Sequence, residues 1–563
     1  MIHRDVTVNR PAGTKIQARN GRRYVYHVRS RKYHKEGRYY TDDRVDIGVM
    51  VYDDGNSKGN TMYPNDRYWE FYPDENKTYQ EAQMFSNTLK VGGTMIVQKV
   101  LRDLQMDEVL NNIYEKDSAM VQNLITYMIL FETSTFQHYP AMMRNHPVVS
   151  GVLTADTHIA EFLKDEEQEE RIKLFLAAWN QMHRKNVTAY IGYDSTNINN
   201  QSKGIEMAEY GHPKIDIGAP QINLSYAMDM VDSTPLFFEL YPGSIIDNSQ
   251  CKYMVDKAKD YGYEKCGFVL DRGYFSEKNI KYMDDHGYAL VIMLKENYQC
   301  VKEAVKVSQK QIHEFKYKYY LADHDVYGMT VKGKLYAKDK HTRYFHVFYD
   351  NSRAASLQNS IMKAYTEQEK KLQRLIDQKT VRKEDAEVYE KAFSLHYDSA
   401  GYLESFKRKE KYLQRMMEEA GYFVICTSEN MTAEEALNIY RNRDQSEKLF
   451  RVLKTELDYD KTAVYSDASV RTKTQLAFLA TIVRNRIFQK LKLVVKETGD
   501  RKNYTVNAAL HSAENIEITK NTHDAYVRDY GFTKVQKNIF KAFDMSDADV
   551  DHLASRISKL AAR

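Results

Sequence analysis

The sequence predicts an α/β protein whose central core is interrupted by a long insertion and preceded by a strand-rich, then helical, region. Three observations predict this. From residue 186 onward, short apolar strands alternate with segments of helical period. Two of the core strands are separated by residues 296–420, far more than a connecting loop needs. Ahead of the core, residues 1–90 read as strands and residues 91–185 as helices. At 563 residues the chain is too long for one compact core, so several domains are expected.

Within residues 1–90, Tyr24 to Val28 reads as a strand, followed by a basic, Gly-containing turn region and a second strand from Val45 to Val51. Asp54-Gly55 reads as the turn that ends it. Arg22 to Tyr40 mixes Arg, Lys, His and Tyr, which suits a DNA backbone and equally suits a solvated hairpin surface. Within residues 91–185, Ile96, Val100, Leu101 and Leu104 keep a 3.6-residue period, as do Val121, Leu124, Ile125 and Met128. A helical DNA-binding module and plain packing helices fit this segment equally well.

Residues 186–295 begin with a strand from Val187 to Tyr193 that ends at Asp194. Ile222 to Val231 and Leu236 to Tyr241 form a hairpin broken by Asp232-Ser233-Thr234-Pro235. A helix from Asn248 to Tyr261 leads to a buried strand, Cys266 to Leu270, that ends at Asp271. Ser276 caps a helix running to about Asp285, with Glu277 in its dipole-favoured first turn, and Ala289 to Leu294 is a further buried strand. The order β-β-β-α-β-α-β is that of an RNase H-like core. Residues 296–420 form the inserted β/α-helical domain: Phe315 to Tyr320 and Arg343 to Tyr349 alternate like strands, and Ala355 to Glu419 is charged and helical with paired-helix character. Residues 421–485 resume the core with the strand Tyr422 to Thr427 and a helix beyond it. Residues 486–563 are mixed and partly basic, with no assignable role.

The net charge of +4, from 82 basic and 78 acidic residues, implies no nucleic acid by itself; any such contact must come from local patches. The 44 tyrosines suit base or sugar stacking and equally suit a strand-rich composition. Cys251, Cys266, Cys300 and Cys426 form no CxxC, which argues against zinc and for a reducing compartment. No apolar run approaches the ~20 residues that span a bilayer, and the N-terminus lacks a secretory apolar stretch. A soluble, cytoplasmic protein without membrane contact is expected.

The chemistry-bearing residues are concentrated after the insertion. Tyr440, Arg443, Glu447 and Lys454 fall at i, i+3, i+7 and i+14. On one continuous helix they share an arc of roughly 60° and about 20 Å of length, with Leu449, Val452 and Leu453 on the opposite, apolar side. Asp194 and Asp271, each ending a strand, project from rigid elements into the cleft above a sheet, and Gly273 lets backbone pass near that cleft. Asp194, Asp271 and Glu447 together repel unless a cation lies between them, and hard oxygen ligands favour Mg²⁺ or Mn²⁺. Two such ions suit phosphodiester cleavage, with Arg443 and Lys454 gripping phosphates and Tyr440 hydrogen-bonding or stacking. Each residue taken alone has a plainer reading: an aspartate as a turn cap, Glu447 as the i+4 partner of Arg443, Lys454 as a solvated lysine. Asp216 and Asp247 read as loop caps before they read as extra ligands. His341 and His346 lack acidic or Cys partners, and Lys407-Arg408-Lys409 reads as a solvated helix face.

Tyr440-Arg441-Asn442-Arg443-Asp444-Gln445-Ser446-Glu447, followed at the sixth intervening residue's end by Lys454, resembles the Y-x2-R-x3-E-x6-K signature of bacterial insertion-sequence DDE transposases. Asp194-Ser195-Thr196 and Asp271-Arg272-Gly273-Tyr274 resemble the contexts of that family's first two acids, and the likeness covers roughly residues 185–490. The resemblance implies that Asp194, Asp271 and Glu447 bind two Mg²⁺ or Mn²⁺ ions and that Tyr440, Arg443 and Lys454 contact DNA. It also implies cut-and-paste joining of 3′-ends, terminal inverted repeats and target DNA as partners, a homodimer on DNA, and a nucleoid location when bound. The chain departs from many relatives after the signature, with Thr474-Gln475-Leu476 in place of a His-aromatic pair, which questions the packing of that helix. The alternatives are a metal-dependent DNA nuclease that cannot join strands and a domesticated, non-catalytic DNA-binding protein.

Overall fold

The computed structural model describes the chain except residues 1, 4–6, 20–21, 36, 52–59, 73–85, 152, 184–188, 212–218, 232, 246, 379–385 and 562–563. The expected turn at Asp54-Gly55, the start of the strand at Val187, and Asp216 lie outside the described residues. The architecture is mixed α/β, and the chain divides into two compact units.

The first unit comprises Met1–Thr94, Ala141–Leu153 and Ser512–Arg563. Its five-stranded antiparallel sheet runs, in spatial order, Val8–Asn9, Thr61–Pro64, Tyr39–Met50, Arg22–His34, Lys15–Arg19. Both strands expected from the sequence are present and longer than foreseen. Val8, Val25, Ile47, Met50, Met62 and Tyr68 form its core, with Trp69, Phe71 and Tyr72 packed against them. A second, three-stranded sheet joins Thr88–Lys90 to Glu517–Lys520 and Tyr526–Arg528. The C-terminal residues therefore belong to the same unit as the N-terminal ones.

The second unit comprises Met95–Pro140 and Thr154–His511. Its sheet has nine strands: β1 (Ala189–Asn199), β2 (Gln221–Asp229), β3 (Pro235–Pro242), β4 (Cys266–Leu270), β5 (Ala289–Met293), β6 (Tyr320–Leu321), β7 (Val326–Gly333), β8 (Arg343–Tyr349) and β9 (Tyr422–Thr427). The spatial order is β6-β7-β8-β9-β5-β4-β1-β2-β3. Only β4 pairs in parallel, with β1 on one side and β5 on the other. Every residue of β2, β4 and β9 is buried, which explains the near-continuous apolar runs of β4 and β9, since strands covered on both faces do not alternate; β2 instead interleaves buried Gln221, Asn223, Ser225 and Asp229 with its apolar residues. Between β3 and β5 lie α1 (Asp247–Asp260) and α2 (Glu277–Asp285), the latter capped by Ser276, whose hydroxyl accepts from the Asn279 N–H.

The long segment 296–420 contributes to the sheet itself. β8 pairs with β9 along Tyr344 to Tyr349, so β6, β7 and β8 extend the core sheet. Arg343, fully buried, fixes this arrangement: its guanidinium bonds Asp339 at 2.9 Å and Asp284 of α2 at 2.6 Å. The strand expected at Phe315 to Tyr320 is instead a 3₁₀ turn, Tyr317–Tyr319, running into the two-residue β6. Phe315 takes a φ of +47°, which ends regular structure, and Tyr317 is 87% exposed, so the aromatic alternation there lies at the surface. The remainder of the segment includes α3 (Gln299–Ile312), α4 (Asn351–Asp377) and α5 (Glu410–Glu419), with α4 and α5 packed about the hairpin Phe393–Tyr397 and Leu403–Arg408.

Candidate active site

Asp194 lies inside β1 rather than at its end. β1 continues to Asn199 because Ser195 to Asn199 pair with Gln221 to Ser225 of β2. Its other neighbour, β4, stops earlier: the parallel pairing runs only to Val269 opposite Gly192. Asp194 thus stands just past the point where β1 loses its partner on that side, in the cleft beyond the carboxyl end of β4. Asp271 follows the last residue of β4 and caps a 3₁₀ turn, Arg272–Tyr274, its Oδ1 accepting the Arg272 N–H at 2.7 Å. Oδ1 of Asp194 accepts the Ser195 N–H at 2.9 Å. Gly273 is not demanded by packing, since a Cβ there would meet no protein atom within 4 Å; the cleft is open on that side.

The helix after β9 is not the single continuous one expected. Thr432 and Glu435 form a capping box that starts α6 (Ala433–Arg441), a device worth ~1 kcal/mol. The helix then tightens: the N–H groups of Arg443, Gln445 and Ser446 each bond the carbonyl three residues back, at 3.0, 3.0 and 2.8 Å. Asn442 drives the break, donating its side-chain amide to the Met230 carbonyl after β2 at 2.7 Å. α7 (Asp444–Arg451) follows, and the chain then widens into a π turn, Val452–Glu456, closed by Leu457 N–H to Val452 O at 3.0 Å. Tyr440, Arg443, Glu447 and Lys454 therefore sit on an α helix, a tight turn, a second α helix and a π turn respectively. The 100° spacing rule misses this because tertiary hydrogen bonds reset the phase twice. Leu449 and Leu453 still bury the opposite face as foreseen.

The break places Arg443 among the three acids. Its Nη1 is 3.6 Å from Asp194 Oδ2, and its Nη2 is 4.0 Å from Asp271 Oδ1 and 3.2 Å from Glu447 Oε1. The sequence pattern expects the acids to converge on cations; here they converge on one guanidinium. Among the described residues, no three His, Cys, Asp or Glu side chains are arranged to hold a metal ion as they stand. The Arg443–Glu447 contact is also the i, i+4 pair that the plainer reading foresees. The side chains grade outward: Arg443 is 10% exposed, Asp194 16%, Asp271 36% and Glu447 65%.

Burial works against the charge on Arg443, but Tyr440, Asp271, Asp194 and Glu447 outweigh it, so its pKa lies above the ordinary value. Its buried Nε has no hydrogen-bond partner among the described residues. An unmatched buried donor beside an open cleft is suited to an incoming acceptor oxygen. Tyr440 lies against the guanidinium, 5.8 Å from ring centroid to Cζ, and burial pushes its phenol up to about 12. Lys454 is half-buried on the π turn. Asp247 begins α1, but its side chain, like Asp216, is outside the described residues.

Two further buried charges were not foreseen, and one of them braces the π turn. The long helix α8 (Asp467–Thr498) buries Arg484, which bonds Glu456 of the π turn at 2.7 Å and Glu132 at 3.2 Å. Lys473 of α8 is 2% exposed, donates to the Thr462 carbonyl at 2.9 Å, and has its pKa pulled down to about 8 by burial, against the pull of Asp458. The departure at Thr474-Gln475-Leu476 does not loosen α8, since all three are buried and the Thr474 hydroxyl meets the Tyr459 hydroxyl at 2.7 Å. A buried charge leaves no periodic trace in a sequence, so neither residue could be picked out there. His346 is also buried, between Thr330 and Thr427 at 2.8 and 2.9 Å, and is a strand-bridging residue. No described helix is long and apolar enough to cross a membrane.

Residues 191–483 match the family described as transposase DDE domain. No curated protein matches the chain. Among solved structures, the chain is similar to one described as the cryo-EM structure of piggyBac transposase synaptic complex with hairpin DNA, at 9% identity and a TM-score of 0.32, over 76% of this chain and 71% of that one.

Proposed function

The chain belongs to the transposase DDE-domain family, and from that premise we propose that it cleaves DNA at the ends of a mobile element and joins the freed 3′-ends to target DNA. In this reading β1, β4, β5 and the strands about them are an RNase H-like catalytic core, and Asp194, Asp271 and Glu447 are its acidic triad. The observation that carries the reading is the common approach of these three carboxylates to Arg443 at 3.2–4.0 Å. The donor set suits Mg²⁺ or Mn²⁺, being three carboxylates without a thiolate or imidazole among them. Such ions, when bound, activate an attacking oxygen and stabilise a leaving one in phosphodiester displacement.

The chain's own residues do the rest. Asp194 and Asp271 are held by their backbone hydrogen bonds on neighbouring strands, so their positions are set before substrate arrives. Arg443 keeps its charge and presents an unmatched Nε donor to a phosphate oxygen. Tyr440 stays a neutral hydrogen-bond donor at physiological pH. Lys454 adds a point charge for the flanking backbone. Inverted repeats as the substrate, and a dimer pairing two ends, belong to the same proposal.

The test is Glu447→Gln assayed with Mg²⁺ on a plasmid carrying the DNA that flanks the gene, beside calorimetric titration of Mn²⁺ into the parent and Asp194→Asn. Cleavage should fall at least a hundredfold in Glu447→Gln, and Mn²⁺ should bind the parent but not Asp194→Asn. Undiminished cleavage removes Glu447 from the chemistry. Supplying pre-cut ends with a target plasmid separates joining from hydrolysis, because a nuclease yields no joined product.

A further inference from the structure

The first unit carries a feature that its core does not explain. The strands Arg22–His34 and Tyr39–Met50 are 13 and 12 residues long. Their neighbours accompany them only near the base: Lys15–Arg19 pairs as far as Tyr26, and Thr61–Pro64 pairs only with Gly48 to Met50. From Val28 opposite Arg44 to His34 opposite Tyr39 the two strands pair with each other alone. None of the core residues Val8, Val25, Ile47, Met50, Met62 and Tyr68 lies in that stretch. The outer part is therefore a two-stranded ribbon of about 20 Å, exposed on both faces except for partial cover at Val28, His34 and Asp42.

Its composition is unlike that of the chain. Residues 22–44 hold eight Lys and Arg against three Asp and Glu, a surplus of five, whereas the whole protein has a surplus of four. Asp42 is already engaged by Lys15 and by Arg31, the latter at 2.9 Å, and these two hold its carboxyl below the usual range. Tyr33, Tyr39 and Tyr40 are 47%, 54% and 61% exposed. Isolated hairpins are marginal in water. This one is stiffened by cross-strand ring contacts, Tyr33 with Tyr40 and His34 with Tyr39, both at 4.8 Å, and by Arg31 over Tyr40 at 5.6 Å. A bulge between Val28 and Ser30 adds local twist.

We propose that this ribbon is a duplex-DNA-binding arm. A two-stranded ribbon fits the ~12 Å major groove. Lys and Arg on both faces meet phosphates on both walls, and exposed tyrosines supply sugar and phosphate contacts. Charge complementarity selects the occupant: a polyanion matches the local surplus, and an apolar protein partner does not. The proposal rests on the reading of the chain as a DNA-processing protein and adds where the duplex is gripped.

The experiment measures binding of full-length protein to a fluorescein-labelled 40-bp duplex of mixed sequence across a salt series. The variants are Arg29→Gln/Lys32→Gln/Lys35→Gln and the charge-keeping Arg29→Lys. The triple variant should bind at least about tenfold more weakly at 100 mM salt, and its log–log salt slope should shrink by about 3, roughly 0.9 per lost phosphate contact. Arg29→Lys should bind as the parent does. Equal affinity and slope in the triple variant would overturn the arm, as would tighter binding of the parent to a single-stranded 40-mer than to the duplex. A parent that binds no duplex at all would instead overturn the reading on which the arm rests.

Discussion

Asp194 and Asp271 stand side by side on adjacent parallel strands: the register that sets Val269 opposite Gly192, carried two residues further, sets Asp271 opposite Asp194. In a parallel pair such partners point to the same face of the sheet. β4 ends one residue before its aspartate while β1 runs on, so both carboxylates open into the same cleft. Arg443 reaches both from the broken helix, and its position decides how the site can be loaded.

A guanidinium and a divalent cation compete for the same carboxylates. Two unit charges 4 Å apart at a protein surface repel by ~4 kcal/mol, so part of any metal-binding energy is spent against Arg443. Arg443→Gln should therefore bind Mn²⁺ about tenfold more tightly, which uses only ~1.4 kcal/mol of that repulsion. Strand cleavage should fall about a hundredfold, because the phosphate grip is lost. Calorimetry and a cleavage assay on the same preparation read the two effects. Weaker binding together with slower cleavage would show that Arg443 assembles the acids rather than competing for them.

His346 predicts an acid limit to stability. The Thr427 hydroxyl donates to the Glu429 carbonyl at 2.7 Å. It can only accept from His346 Nε2, so Nε2 carries the proton and Nδ1 accepts from the Thr330 hydroxyl. Burial pulls the imidazole pKa down to about 4 from 6.5, slightly opposed by Glu435. The folded state thus binds fewer protons than the unfolded state between pH 6.5 and 4, and stability falls as pH drops through that window. The loss approaches ~3 kcal/mol at pH 4. His346→Gln should be less stable at pH 7 but should flatten this stretch of the pH profile of urea unfolding. An unchanged slope would mean that His346 is not the group responsible.

Lys473 gives the same sign in an alkaline window. Its folded pKa of about 8 lies below the ordinary 10.5. Between pH 8 and 10.5 the unfolded chain holds the extra proton, so stability rises with pH there. The gain is up to ~3 kcal/mol relative to Lys473→Met. The quantity to compare is the wild-type-minus-variant difference at pH 7.5 and pH 10, which cancels the tyrosines common to both proteins. A difference that does not change with pH would place the ammonium in water.

Strands β4 and β9 were legible because they are buried on both faces and read as apolar runs bounded by turns. Asp271 was legible for the same reason: its strand stops where its apolar run stops. Asp194 was misplaced by five residues of strand, since Ser195-Thr196-Asn197 looks like a turn and becomes strand only through pairing with β2. The helix break at Asn442 was illegible because its cause is a carbonyl after β2, more than two hundred residues away in sequence. Arg343 hid the merger of the insertion with the sheet: a buried arginine is satisfied only by Asp284 and Asp339, which the chain supplies from separate elements. Spacing rules capture what one element does alone; the misreadings at Asp194, Asn442 and Arg343 each come from a hydrogen bond between elements.

The π turn that carries Lys454 depends on such a bond. Its last residue, Glu456, accepts from Arg484 Nη2 at 2.7 Å and from the Asn507 amide at 2.8 Å. Arg484 is 3% exposed and also bonds Glu132 at 3.2 Å. Removing one partner of a buried pair costs ~3–5 kcal/mol, because the other is left uncompensated. Arg484→Met should therefore lower unfolding free energy by about 3 kcal/mol, and Glu456→Gln by less, since Glu456 is partly in water. If the two residues act as one clamp, the double variant should lose at least ~1 kcal/mol less than the sum of the single losses. If the clamp also holds Lys454 in place, Glu456→Gln should weaken duplex binding while leaving Mn²⁺ affinity untouched. Additive stability losses with unaltered DNA binding would reduce the clamp to an ordinary helix contact.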